Sequence, residues 1–486
     1  MKTFKVIGSL FLASFLIFFV FAVKADAATY YISPSGSGTA CTLASPCTFA
    51  TAYGKSDVSQ IFVRGGTYAR QQWIVNKSIT IEAYGSEKPV LDGEDAYPAV
   101  STPENTRYNS LMKIGAANVV LRGIEVKRST GRGLTVSGSG DGSVISRCVF
   151  SDNWEGGIAV GTESNYAANV VIEDSLVFRN VRRKLFKEDA GARPQTVPAD
   201  WDWGSIFGSG LALVITDGCT VRRTKVYNNY FEGLDVIKNA RKNLIEDCEI
   251  YGNLAVQLYI SNAHDNTARN NIIYGTAPWQ RRTNGSMMSA NAYWGVSLAG
   301  EDQPGFTSSD YENRFYGNFV ANARNNLVVG GQQVCADNAD GNSCGEKNAR
   351  IYNNIFAEAN EILNFTPIAL NVSDGARLGN VIKNNAFLQT ANQTDSTYSG
   401  KAVFANNLWN RTPSANARGT NDVVQTYAIR RTDWPSATGG SLAKSDWDFM
   451  SASSIYQGKG GWLTLVNGAK SNATQIIVDD SLYFYG

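Results

Sequence analysis

The sequence predicts an all-β fold, a single-stranded right-handed parallel β-helix: a solenoid of coils about two dozen residues long, with an N-terminal cap and loop insertions. Three observations predict it. Segments of one pattern recur at near-constant spacing. Each has a small residue at its centre and, in four of the five clearest, Asn five positions later. The composition, with 46 Gly, abundant Tyr and Phe, few Pro and Met and 18% charged residues, suits strands joined by many tight turns.

Residues 1–27 stand outside that fold. Lys2 and Lys5 precede a run from Val6 to Val23 that is apolar apart from Gly8, Ser9 and Ser14. Ala25-Asp26-Ala27 places small residues where a signal peptidase reads, so cleavage is expected before Ala28 and the mature chain is secreted. An uncleaved anchor is the alternative, because the apolar run is long for a signal peptide. No later segment is apolar enough to span a bilayer.

From Ala28 the elements follow in order. Cys41 and Cys47 bracket a short loop, as do Cys335 and Cys344, and both pairs are expected to be disulfides in an oxidising compartment. Thr48 to Tyr53 reads as a short helix covering the first coil, whose open edge needs a cap. Coils are expected at IFVRGGTY (61–68), SITIEAYG (78–85) and VVLRGIEVKR (119–128). The clearest repeats are VISRCVFSDN (144–153), VIEDSLVFRN (171–180), VRRTKVYNN (221–229), LIEDCEIYGN (244–253) and TARNNIIYGT (267–276). Their small central residues, Cys148, Ser175, Thr224, Cys248 and Asn271, are spaced by 27, 49, 24 and 23. The long spacing marks one coil with an insertion of about a coil's length within 181–207.

After each Asn turn comes a second strand: GGIAV (156–160), SGLAL (209–213), EGLDV (232–236) and VQLYI (256–260). Apolar residues alternate with outward ones, as a strand with one buried face requires. A second excursion spans 277–312, and weaker coils follow at 350–359, 380–389 and 401–410. The repeat fades from Arg411, the β-helix is expected to run to 461, and residues 462–486 read as a C-terminal β segment too short to bury its own core.

Charges on one outer column alternate in sign. Glu173, Arg222, Glu246 and Arg269 occupy matching positions, with Asp174, Arg223 and Asp247 beside them. At about 4.8 Å between coils they should pair along the stack, a structural role rather than a catalytic one. Cys148 and Cys248 are expected to be buried thiols with two coils between them. The formal net charge of +1 argues against nucleic acid as a partner, and a monomer is expected. No cysteine–histidine cluster suggests zinc.

YYISPSGSGTACTLASPCT (30–48), VRGGTY (63–68), KPVLDG (88–93), the coils from 119 to 276 and NAYWGVSLAGE (291–301) together resemble secreted β-helix proteins of the pectin-lyase-like superfamily. The resemblance covers about residues 29 to 460. It implies a carbohydrate-active protein, acting on an acidic, uronate-containing polysaccharide by β-elimination. The alternative is a non-catalytic glycan-binding or surface structural protein; a hydrolase or epimerase remains a third reading. Lyases of this superfamily use Lys or Arg to take the proton beside a uronate carboxyl, with Ca²⁺ held by acidic residues; the hydrolases use paired carboxylates. Either site lies on the outer face of one sheet, beneath projecting loops.

Against that background the candidate catalytic residues are Glu232, Asp235 and Lys238. Asp235 points outward by parity, between Ala212 and Tyr259 on adjacent coils, while Leu234 and Val236 point inward. A solvated turn with a few charges is the competing reading. The insertion supplies Arg182, Arg183, Trp201 and Trp203, and the second excursion Arg282 and Trp294, as candidate substrate contacts: Arg forks bind uronates and Trp faces stack on sugars. Ca²⁺ is a possible cofactor, although Glu232 and Asp235 alone supply too few oxygens for a cage, so the metal ligands are unknown. His264 reads equally as a turn residue or a base. Asp479 and Asp480 fall outside the coils.

Overall fold

Inward-facing apolar residues in register give the chain one continuous core from Ile32 to Ala417. The computed structural model describes residues 28–424 apart from 103–108, 162–165, 196–207, 277–281, 287, 289–293, 301–310, 331–344, 358–367, 374–375, 377, 389–393 and 398. Among the described residues the strands form three long sheets, of 13, 11 and 13 strands, plus a two-stranded ladder. The pairings are parallel, one strand per sheet per coil. The coil from 220 illustrates the order: Thr220–Arg222 in the first sheet, Lys225–Tyr227 in the third, Glu232–Ile237 in the second.

The expected register is the observed one. Glu173 pairs with Arg222, Arg222 with Glu246 and Glu246 with Arg269 on successive first-sheet strands. Arg222 donates to Glu173 at 2.7 Å and Arg269 to Glu246 at 2.7 Å, while Arg223 reaches Asp174 at 2.8 Å. Between the first- and third-sheet strands the chain turns through one left-handed residue, such as Asp174, Arg223, Asp247 or Asn270. These residues lack the glycine usually chosen for positive φ, and the stack repeats the strained turn rather than removing it.

Asn holds the corners from within. Asn153 donates its amide to Asn180 at 2.9 Å, Asn180 to Asn229 at 3.1 Å, Asn229 to Asn253 at 2.8 Å, and Asn253 to Gln257 at 3.0 Å. A second ladder continues the column of small residues through Asn271, Asn318, Asn354, Asn385 and Asn407. Each amide also satisfies backbone groups at the turn, so the polar corner costs little although it is buried.

The N-terminal cap is a helix over Phe49–Tyr53, whose N-cap Thr48 accepts from the Thr51 N–H. Cys41 and Cys47 form a disulfide, and Cys148, Cys219 and Cys248 are buried free thiols. The pair Cys335 and Cys344, the leader and the C-terminal segment lie outside the described residues.

The repeat pattern gives the insertion of 181–207 no elements of its own, but Arg182–Glu188 is a helix and Ala190–Ala192 a 3₁₀ turn. Its Leu185 and Phe186 pack against Trp154, Phe231, Leu254 and Ala255, and that apolar seat explains the helix. Trp294 belongs to a strand, Trp294–Leu298 in the second sheet, rather than to a loop.

Candidate functional site

Strict alternation fails at the start of the second-sheet strands, and the failure shapes the site. A Cβ on Gly210 or Gly233 would strike the amide of Asn229 or Asn253, so these glycines face inward although their neighbours Leu211 and Leu234 also do. Two consecutive inward residues leave the positions before and after them pointing outward. Glu232 and Asp235 thus share the outer face, three residues apart. In adjoining coils Ser209 stands beside Glu232, and Asp235 lies between Ala212 and Tyr259. Val256 pairs with Trp294 and Tyr259 with Ser297. This outer surface therefore collects Glu232, Asp235, Tyr259 and Trp294 within about two coil spacings.

Asp235 is not solvated. It is 2% exposed, and the Ser209 hydroxyl donates to its Oδ2 at 2.5 Å. Glu232 is half-buried, and Tyr259 is buried in an outer apolar cluster with Val256, Ala299 and Trp294. Lys238 follows the strand in a left-handed turn and is half-buried. Six residues of extended chain set its Cα about 20 Å from that of Glu232, so the two act on different parts of any bound chain.

The predicted arginines have structural partners. Arg183 and Glu155 form an ion pair with side-chain exposures of 2% and 4%. Arg182 donates to Asp95 at 2.7 Å, and Asp95 also accepts from the Trp154 indole at 2.8 Å. Arg282 donates to Glu188 at 2.8 Å. Asp189, just past the insertion helix, accepts the Thr283 N–H and its hydroxyl, the latter at 3.0 Å. The Thr283 backbone N–H is the chief reason the Asp189 carboxyl is held below the usual range. The insertion and the second excursion are thus clamped together beside Phe231, immediately before Glu232. Trp201 and Trp203 lie outside the described residues.

Two hydroxyls on the same outer face were not singled out from sequence. Ser261 and Ser297 are 2% and 0% exposed, and neither hydroxyl has a hydrogen-bond partner. A buried unbonded hydroxyl costs about 1–3 kcal/mol. Serine on an outward strand position is common, so sequence alone carries no such signal.

His264 is a turn residue: Nδ1 lies 2.9 Å from Asp265 Oδ2, and the ring stacks on Tyr311 at 4.5 Å. Among the described residues no three His, Cys, Asp or Glu side chains cluster as metal ligands. Glu232 and Asp235, the latter already bonded to Ser209, do not fit the six to eight oxygens that Ca²⁺ takes, so no step is derived through that ion. No helix among the described residues is long and apolar enough to cross a membrane.

No known family's sequence pattern matches the chain, and no curated protein matches it. Solved structures do. The Dettilon tailspike protein is 13% identical, with a TM-score of 0.51, covering 80% of this chain and 68% of its own. The pectate lyase Pel9A is 15% identical at a TM-score of 0.45, covering 88% and 90%. The A-module of the Azotobacter vinelandii mannuronan C-5 epimerase AlgE4 is 14% identical at 0.45, covering 78% and 89%. At these identities the likeness is one of fold.

Proposed function

We propose that this pectin-lyase-like parallel β-helix is a secreted carbohydrate-active protein that binds an acidic, uronate-containing polysaccharide along the outer face of its second sheet and cleaves it by β-elimination. One observation carries the reading: two carboxylates, Glu232 and Asp235, share an outer sheet face with Tyr259 and Trp294, next to clamped insertions. Aromatic faces stack on sugar rings, and carboxylates bond their hydroxyls. The pectate lyase and the mannuronan epimerase of similar fold act, by their names, on acidic polysaccharides.

In β-elimination an uncharged base takes the proton from the carbon beside the uronate carboxyl, the electrons form a C=C bond, and the glycosidic C–O bond at the next carbon breaks, its oxygen leaving with the bonding pair and taking a proton from water. We assign the base to Lys238. Glu232 orients the sugar, the enclosed Asp235 fixes that face through Ser209, and Trp201 and Trp203 stack on neighbouring units. Arg182, Arg183 and Arg282 hold the insertions in place through Asp95, Glu155 and Glu188. The Cys41–Cys47 disulfide supports an oxidising compartment.

The shared face of Glu232 and Asp235 favours a second reading, hydrolysis by a carboxylate pair. Incubation with pectate, alginate and glycosaminoglycans separates the two. β-Elimination yields the ultraviolet absorbance of a conjugated double bond, which Lys238→Ala should abolish without unfolding the chain. Reducing ends released without that absorbance would favour hydrolysis. Binding without cleavage would make this a glycan-binding protein. Full lyase activity in Lys238→Ala would remove Lys238 from the mechanism.

A further inference from the structure

We propose that the outer face of the first sheet carries a second polysaccharide-binding surface: a basic stripe of Arg314, Arg350 and Lys383, with Lys347 at its corner, that holds acidic groups of the polymer away from the second-sheet face. The proposal rests on the carbohydrate reading and extends it from one face to two.

The charge pattern of this sheet changes at one place. From Gln60 to Thr267 the first outward position of successive first-sheet strands is uncharged. The next two are Arg314 and Arg350, paired directly in the ladder. At the third position each upstream cation sits beside an acid: Arg122 beside Glu82, Arg222 beside Glu173, Arg269 beside Glu246. After Arg269 that column continues through Tyr316, Tyr352 and Lys383 with no further carboxylate. Phe315, Ile351 and Ile382 are fully buried in the core, so the residues on either side of each leave the sheet outward. Like charges directly opposite repel, so the fold gains nothing from two arginines in register. An anion lying across them gains from both.

These groups are within reach of a ligand. Arg314, Arg350 and Lys383 are half-buried, Lys347 is exposed, and Val403, which follows Val381 on the next coil, is 61% exposed. Neither Lys347 nor Lys383 has an ion pair among the described residues. Burial alone pulls the Lys383 ammonium below the ordinary lysine value, whereas an adjoining carboxylate would raise it. The carbonyls of Asn348, Ala349 and Gly379 hold the Arg350 guanidinium. Asp265 and Glu312 stand at the corner before Arg314, and Glu346 is buried and accepts from Asn313. From Arg350 onward the described outward strand positions of this sheet carry no carboxylate. The stripe thus presents three cations over about 10 Å, two coil spacings, to a flat and open face. Guanidinium forks take carboxylates bidentately and ammonium groups take them as point charges, which fits the repeated charge of an acidic polymer.

The test compares the full chain with Lys347→Ala/Lys383→Ala and with a control, Lys88→Ala/Lys242→Ala, which removes the same charge from exposed lysines on other coils. Pectate, alginate and a glycosaminoglycan are titrated as polymers and as short oligosaccharides. Melting temperatures should agree across the three proteins, since solvent-facing lysines add little stability. A fall of several degrees in the stripe variant alone would show its lysines bonded within the fold and overturn the proposal. The unsubstituted chain should bind polymer more tightly than oligosaccharide, because two faces engage one molecule, and the excess should shrink as salt is raised. The stripe variant should lose about three- to tenfold in polymer affinity and leave oligosaccharide affinity unchanged. The control should match the unsubstituted chain. Equal losses in both variants, or none in the stripe variant of a chain that binds, overturn the stripe alone. Single-stranded nucleic acid bound more tightly than any of the polysaccharides, and lost with the stripe, overturns the polysaccharide as its occupant. Failure of the unsubstituted chain to bind any acidic polysaccharide or oligosaccharide overturns the carbohydrate reading together with it.

Discussion

The Asn180 amide accepts from the Asn153 backbone and side chain and donates to the Phe150 carbonyl and Asn229. Asn180→Ala would orphan several buried groups at once, for an expected loss of about 2–4 kcal/mol. Denaturant unfolding checks this, and Asn→Asp should fare no better, since a carboxylate cannot donate. The thiols make a second test at this scale. Burial pushes Cys148, Cys219 and Cys248 each up to about 12, so none should react with a thiol reagent in the native chain, and all three should react once it unfolds. A Cys148–Cys248 bridge in mass spectrometry would contradict the register, which sets Ser175 and Thr224 between them. The small residue with Asn five positions on was legible in the sequence because the stack needs both. Arg183 was not: its partner Glu155 is 28 residues away along the chain, and the coil alone brings them together. A serine hydroxyl without a partner is silent in sequence for the same reason.

At the scale of elements, the charge ladder and the insertion clamp make separate predictions. Arg222→Glu would set three acidic residues in a row on successive coils, at 173, 222 and 246, and should lower stability. Arg222→Ala should cost about 1 kcal/mol or less, as exposed pairs do. Asp189→Ala should release the second excursion from the insertion helix, read as faster amide exchange across 282–288 with the central coils unaffected. Acid should do the same. The Thr283 N–H lowers the Asp189 carboxyl and the Arg223 guanidinium lowers that of Asp174, so both contributions are complete above the unfolded value. They erode as pH falls below about 3.9 and vanish once it passes the lowered native values. The 49-residue spacing disclosed the insertion, but its helix went unread: seven residues give too short a period, and its apolar seat is built from Trp154, Phe231 and Leu254 on other coils. Strict alternation would turn Glu232 inward with Leu234 and Val236; the inward Gly233 breaks it, and Glu232 reaches the outer face that the candidate site requires.

The whole molecule is nearly one-dimensional, and this made its architecture the most legible feature of the sequence: each coil contacts its neighbours, so a local pattern repeated in register specifies the stack. A site on such a stack is different in kind. It is assembled across coils from Ser209, Asp235, Tyr259 and Trp294, residues spread over 85 positions and related by register alone. Parity and coil spacing placed Asp235 beside Tyr259 but could not tell that burial and a serine would enclose its carboxylate. The claim that this outer face is where the protein meets its polysaccharide is tested most directly by a structure of the full chain with a bound acidic oligosaccharide. The account predicts sugar rings running across successive coils over the second sheet, within hydrogen-bonding distance of Glu232 and stacked on Trp294. An oligosaccharide bound on the first or third sheet, with the second-sheet face bare, would contradict it.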